Sequence, residues 1–304
     1  MRARVLLTVA ACSLACPRDG ETNRPQGAGA TDAAAAGSAG FAGHSGSGGS
    51  TSGGGGATAG AAAASSSSDA SSPSDASGAS DRSPPLVPGD ILDLTEWKLT
   101  LPVGTPGSPT ETKQPALRTF SMSPYFVVDS TGSGVVFQAH AGGVTTSNSG
   151  YPRTELREMS AGGSQNAAWS TNSGMHTMTI TETITHLPVA KPHVVAGQIH
   201  DASDDVVMIR LEGTNLFVEG GGNELGTLNA SYSLGTRFTV RLVAEGGRIR
   251  IYYDDLATPK VDLPSSKTDC YFKAGVYTQS NPAHGDDPSA YGEVVVHALA
   301  VTHL

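Results

Sequence analysis

Three short segments of the 304-residue chain place proton-active side chains at alternating positions. In Tyr151-Pro152-Arg153-Thr154-Glu155-Leu156-Arg157-Glu158-Met159, an extended backbone puts Arg153, Glu155 and Arg157 on one face and Thr154 and Leu156 on the other. Two guanidiniums flanking a carboxylate make a partly neutralised basic row suited to planar carboxylate recognition, although a solvated ion-pair row reads the same way. In Val195-Ala196-Gly197-Gln198-Ile199-His200-Asp201, Gln198 and His200 share a face opposite Ile199. An amide beside an imidazole can hold an anion or move a proton near neutral pH; a lone His can equally be structural. In Tyr271-Phe272-Lys273-Ala274-Gly275-Val276-Tyr277-Thr278-Gln279, the odd positions are Tyr, Lys, Gly, Tyr and Gln, while Phe272, Ala274 and Val276 form an apolar face. Gly275 leaves open space between Lys273 and Tyr277, and a cation near a phenol favours its ionised form. An ordinary amphipathic strand would alternate in the same manner.

All three segments need strands to present them, and the remaining sequence is rich in strand signals. Residues 177–185 alternate Thr with other residues throughout, the mark of a half-buried strand. Residues 237–243 and 248–253 repeat with period two, and Glu245-Gly246-Gly247 between them supplies a hairpin turn. Residues 206–211, 216–219 and 293–301 are further strand candidates. Many short strands joined by Gly- and Pro-rich connections predict an all-β sandwich or jelly roll.

Composition limits where that fold can lie. Over residues 26–80, 45 of 55 positions are Gly, Ala or Ser, and Phe41 alone is large and apolar. Such a stretch cannot bury enough apolar surface to offset its ordering entropy, so residues 17–85 are expected to be disordered linker. Residues 86–304 are expected to form one domain, which rules out two full-size ones. At the start, Arg2 and Arg4 precede an apolar run over residues 5–15, too short to span a bilayer. Residues 1–16 therefore read as an export signal. Cys12 and Cys16 each follow small residues, which resembles a bacterial lipoprotein signal, with Cys16 favoured because it leaves the longer apolar core. The expected location is outside the cell or lipid-anchored to its envelope. Cys270 has no partner within the domain and is expected to be a small core residue. Residues 86–304 carry a net charge of −8, which argues against nucleic acid or a broad anionic membrane surface as partner, though not against a small basic cleft.

The three segments, as Arg153-Thr154-Glu155-Leu156-Arg157, Gln198-Ile199-His200 and Tyr271-Phe272-Lys273-Ala274-Gly275-Val276-Tyr277-Thr278-Gln279, resemble the signature motifs of the family 7 polysaccharide lyases, which are alginate lyases. Trp97-Lys98-Leu99-Thr100-Leu101-Pro102 is similar to the start of that family's domain, and the resemblance covers about residues 89–304. It implies a concanavalin-like β-jelly roll with an open cleft and cleavage of alginate, a chain of mannuronate and guluronate, by β-elimination. It also implies roles. Tyr277 protonates the leaving oxygen, and serves as base too where the C5 proton and O4 lie on one side of the sugar; His200 is the base where they lie on opposite sides. Arg153 and Gln198 neutralise the carboxylate with help from His200. Lys273 and Arg157 hold neighbouring carboxylates or tune Tyr277, Glu155 orients the arginines, and Gln279 contacts substrate. Ile199, where the family also uses Val, leans toward guluronate-containing blocks. No metal or cofactor is expected, because the protein supplies the positive charge, and a monomer is expected.

Other functions fit less well. A hydrolase needs a carboxylate pair across the scissile bond, but Glu155 and Glu158, three apart on a strand, face opposite ways. A carbohydrate-binding module usually shows a platform of aromatics, and the domain has only Trp97 and Trp169. A lyase for another polyuronate, such as a glucuronan, is the nearest alternative. The pairs Asp204-Asp205, Asp254-Asp255 and Asp286-Asp287 sit in turn-like contexts, where Asp serves for its side-chain hydrogen bonds rather than for calcium. His140, His176, His186, His193, His284, His297 and His303 lack metal-ligand spacing and receive no role.

Overall fold

The computed structural model describes residues 85–304; the expected signal, with Cys12 and Cys16, and nearly all of the expected linker lie outside the described residues. One antiparallel sheet contains β1 (Trp97–Thr105), β2 (Ser108–Thr112), β5 (Arg153–Ser160), β6 (Gln165–Asn166), β8 (His193–His200), β9 (Asp205–Glu212), β10 (Asn215–Gly220), β11 (Asn223–Asn229) and β15 (Tyr271–Thr278). The other contains β3 (Phe126–Val128), β4 (Val135–His140), β7 (Met175–His186), β12 (Arg237–Glu245), β13 (Arg248–Tyr253), β14 (Val261–Pro264) and β16 (Tyr291–His303). The strand orders are β11-β10-β9-β8-β15-β5-β1-β2, with β6 on β5, and β14-β13-β12-β7-β16-β4-β3. This is the all-β jelly roll that the strand signals predict.

The two sheets face each other across an apolar core. Leu156, Ile199, Phe272, Ala274 and Val276 enter it from the first sheet, and Phe137, Met178, Ile180, Leu242 and Val294 from the second. Hydrogen bonds also cross the layer: Thr154 Oγ1 donates to the Gln138 carbonyl at 2.5 Å, and Thr278 Oγ1 to that of Ala139 at 2.8 Å. Because strand residues alternate, burying Leu156, Ile199, Phe272 and Val276 turns the polar residues between them outward. The hairpin at Gly246-Gly247 joins β12 to β13 with φ of +57° and +74°, values that glycine reaches without a steric penalty. Cys270 is buried and unpaired, as expected.

Glu158 lies on the opposite side of β5 from Glu155. Its carboxylate accepts from Trp169 Nε1 at 3.0 Å and from the Phe272 amide at 2.8 Å, and lies 2.6 Å from His303 Nε2. The only two candidates for a hydrolase pair in that motif therefore face different environments.

Candidate active site

β8, β15 and β5 are neighbours at the centre of the first sheet, so the three motifs lie side by side. Register sets their residues against one another: Lys273 pairs with Gln198 on one side and Arg157 on the other, Gly275 with Glu155, Tyr277 with Arg153, and Tyr271 with His200. The result is a row along the face of the sheet that points away from the core. A cavity of about 910 Å³ elsewhere, beside Trp169, His176 and His303, contains none of the eight candidate residues.

Glu155 is the centre of the row. It is only 3% exposed, and its carboxylate receives Lys273 Nζ at 2.7 Å, Arg153 Nη1 at 3.1 Å and Gln198 Nε2. Burial opposes its ionisation, but the Lys273 and Arg153 charges and their hydrogen bonds prevail and hold the carboxyl below the usual range. Lys273 is pushed down to about 8, by burial first and then by Arg153; Glu155 offsets part of that.

At one end stands Tyr277. Its hydroxyl is 2.9 Å from Ser149 Oγ, which also accepts from Arg153 Nη2 at 3.1 Å, and the Arg153 guanidinium lies 3.8 Å from the centre of the phenol ring. Tyr151 packs edge-on against Tyr277, with centroids 6.2 Å apart. At the other end, His200 Nδ1 lies 2.6 Å from the Asp201 carbonyl and 3.0 Å from Tyr271 OH. A carbonyl only accepts, so Nδ1 carries the proton and the Nε2 lone pair of the neutral ring is left for chemistry. Burial, and then the Lys273 charge, holds the His200 pKa below its ordinary value and favours that neutral ring. Tyr271 stacks on His200 at 5.2 Å, and Arg157 covers the other residue of the stack, 3.9 Å from the Tyr271 centroid.

Arg157, Lys273 and Gly275 have definite partners within the protein. The resemblance has Arg157 and Lys273 hold neighbouring carboxylates or tune Tyr277. In the structure Arg157 Nη1 donates to Asn166 Oδ1 at 2.8 Å and to the Glu158 carbonyl at 3.0 Å, and Lys273, 7% exposed, is bound to Glu155. Both cations brace the row from within. Lys273 also gives its charge to Glu155, and it is Arg153 that lies over Tyr277. Gly275 does more than leave space: its φ is +126°, and a Cβ there would meet Phe137 Cδ1 and the Thr154 carbonyl, both at 2.6 Å.

Gln279, on the Tyr277 face but beyond the end of β15, is 6% exposed, and its Nε2 has no hydrogen-bond partner among the described residues. Sequence reasoning assigned no role to Ser149 and Lys191, on loops, or to His284, in a single 3-10 turn, where no alternation reveals them. Tyr151 and Tyr271 were visible in the motifs but had no assigned role.

A sequence model of the alginate lyase family matches residues 92–303. A curated alginate lyase from Klebsiella pneumoniae is 26% identical over 283 residues, covering 71% of this chain and 91% of that protein. Among solved structures, the alginate lyase AlgAT5 of polysaccharide lyase family 7 is 56% identical, with a TM-score of 0.69 over 72% of this chain and 99% of that one. The alginate lyase from Corynebacterium sp. is 45% identical, with a TM-score of 0.70 over 73% and 100%.

Proposed function

The chain belongs to the alginate lyases of polysaccharide lyase family 7, and on that premise we propose how its own residues cut the polymer. Arg153 and Gln198 take the carboxylate of the unit to be cleaved. Gln198 gives one amide hydrogen to Glu155 and keeps the other for substrate. Neutralising the carboxylate makes the C5 proton acidic and stabilises the enolate-like transition state. The base removes that proton, the C–H electron pair becomes the C4–C5 double bond, and O4 departs with a proton from Tyr277. Where the C5 proton and O4 lie on one side of the ring, Tyr277 performs both transfers. Where they lie on opposite sides, the His200 Nε2 lone pair accepts the C5 proton. Glu155, Lys273 and Arg157 keep these groups in place.

One observation carries this reading: Arg153, Gln198 and Lys273 converge on buried Glu155 in a single row that has Tyr277 at one end and His200 at the other. The preference for guluronate-containing blocks is part of the proposal and rests on Ile199. That side chain is buried on the core face, so it acts by setting the backbone under Gln198 and His200.

The test is to incubate the purified protein with defined guluronate and mannuronate polymers, following absorbance of the new double bond and product size. Tyr277→Phe is expected to cost at least about a hundredfold in kcat while polymer binding persists. Full activity in that variant removes Tyr277 from the mechanism. A higher rate on polymannuronate overturns the block preference, and new reducing ends without absorbance would indicate hydrolysis.

A further inference from the structure

Building on that reading, we propose that Lys191, seated on Tyr151 and His284, binds the carboxylate of the uronate unit adjoining the cleaved one, on the Tyr277 side of the row. Alginate carries a carboxylate on every sugar, so a chain laid across Arg153 and Gln198 must bring another to the next position along. Beside Tyr277, Lys191 Nζ donates to Tyr151 OH at 2.8 Å and lies 5.0 Å from its ring centre. His284 Nε2 is 2.8 Å from the same oxygen, with its ring stacked on Tyr151 at 5.6 Å. An ammonium and an imidazole thus meet on one phenol, next to the tyrosine that protonates the leaving group.

The loops carrying these groups are fastened together. The Asp286 carboxylate, 4% exposed, accepts the backbone amides of Val189, Ala190 and Lys191 at 2.8, 2.8 and 3.1 Å, and Ser280 Oγ at 2.5 Å. Those bonds hold the Asp286 carboxyl below its usual pKa in spite of burial. Asn281 Nδ2 donates to the Gly150 carbonyl at 2.9 Å, tying in the segment before Tyr151. A cation on an anchored backbone loses less entropy when it meets its partner than one on a free loop.

The surroundings of Lys191 hold a second group suited to an anion, next to His193. His193, two residues on from Lys191, is pushed down to about 4. Burial does most of this; Glu212, 3.4 Å from its Nδ1, opposes it, and the Arg210 and Lys191 charges add to it. Gln279, whose backbone amide donates to the His193 carbonyl at 3.0 Å, holds a buried Nε2 donor with no acceptor among the described residues. A carboxylate oxygen is an acceptor of the kind it lacks.

The experiment compares Lys191→Gln, Lys191→Arg and wild type, in the full chain, on guluronate polymer and on the shortest oligomer the enzyme cleaves. Lys191→Gln should raise KM for polymer about tenfold, the factor for one lost charge-assisted contact, with kcat little changed. The KM difference should shrink at high salt and on the shortest oligomer, and Lys191→Arg should restore most of the affinity. An unchanged KM, or a loss confined to kcat, would overturn the inference, the latter by making Lys191 a partner of Tyr277. If Lys191→Gln does not fold, Lys191→Met removes the same charge, keeps the apolar stem and should raise KM alike; an unchanged KM there counts against the site. A wild type that forms no unsaturated product from any alginate would sink the underlying reading instead, so the two failures are distinguishable.

Discussion

Among single residues, Glu155 and Lys273 decide how the site behaves with pH. Lys273 loses its proton at about 8, well inside the range where most lysines stay charged, because burial and Arg153 both disfavour the ammonium. Above that pH Glu155 keeps only Arg153 as a charged partner, and the grip on Gln198 and Arg153 loosens. In the proposed mechanism His200 serves as base only when neutral, and its lowered pKa then extends the active range downward. The expected kcat/KM profile therefore rises through an acid limb below 6.5 and falls above about 8. Lys273→Arg keeps its charge through the alkaline range, so the falling limb should move to higher pH. A limb that stays in place in Lys273→Arg belongs to another group. Much of this row was legible in the sequence, since period-two alternation alone puts Arg153, Glu155, Gln198, His200, Lys273 and Tyr277 on strand faces. It could not show which cation meets which anion. That choice is made by register between strands far apart in the chain, which gave Lys273 to Glu155 and Arg157 to Tyr271.

At the level of strands, the site depends on an irregularity. Between Ala274 and Tyr277, β15 holds one residue more than β8 does between Val195 and Gly197, so the pairing shifts there while β15 stays in step with β5. Such a bulge lets one strand aim side chains at two differently registered neighbours. Gly275 sits in it at φ +126°. Gly275→Ala combines an unfavourable backbone with a Cβ 2.6 Å from the Phe137 ring and from the Thr154 carbonyl. The expected loss is about 2 kcal/mol or more, read as a lower denaturant midpoint, with activity falling further than stability because Tyr277 lies two residues on. Wild-type stability and activity in the alanine variant would mean the bulge is dispensable. The strands that sequence reading did not pick out include β2, Ser-Pro-Thr-Glu-Thr, and β11, Asn-Glu-Leu-Gly-Thr-Leu-Asn, both at sheet edges. An edge strand exposes most of its side chains and tolerates Pro, so it has little apolar alternation to read. The central strands β7, β12 and β13 must bury one face, and their period was plain.

For the molecule as a whole, a domain of net charge −8 that acts on a polyanion has to gather its positive charge where the substrate lies. Arg153, Arg157, Lys273 and Arg210 all stand on the outer face of the first sheet, with Lys191 on an adjoining loop, while the side toward the second sheet is almost wholly apolar. Thr154, Glu158 and Thr278 also point inward but are hydrogen-bonded there, whereas Glu182 on β7 is not. The alternation that places Met178, Ile180 and Ile184 in the core places Glu182 there too, fully buried, with neither oxygen hydrogen-bonded among the described residues. Burial raises its pKa well above 4.5, so the folded protein keeps this proton at pH values where the unfolded chain has released it. The unfolded state then binds fewer protons, and stability falls as pH rises from about 4.5 toward the raised folded value. Below 4.5 both states are protonated and the ionisation cost vanishes. Glu182→Gln has nearly the same shape and no ionisation, so it should match wild type near pH 4 and be the more stable of the two at neutral pH. Urea midpoints at several pH values measure this directly. The signature is a shallower decline of stability with pH in the variant; parallel pH curves for the two proteins would show that Glu182 ionises as readily in the folded sandwich as in the unfolded chain.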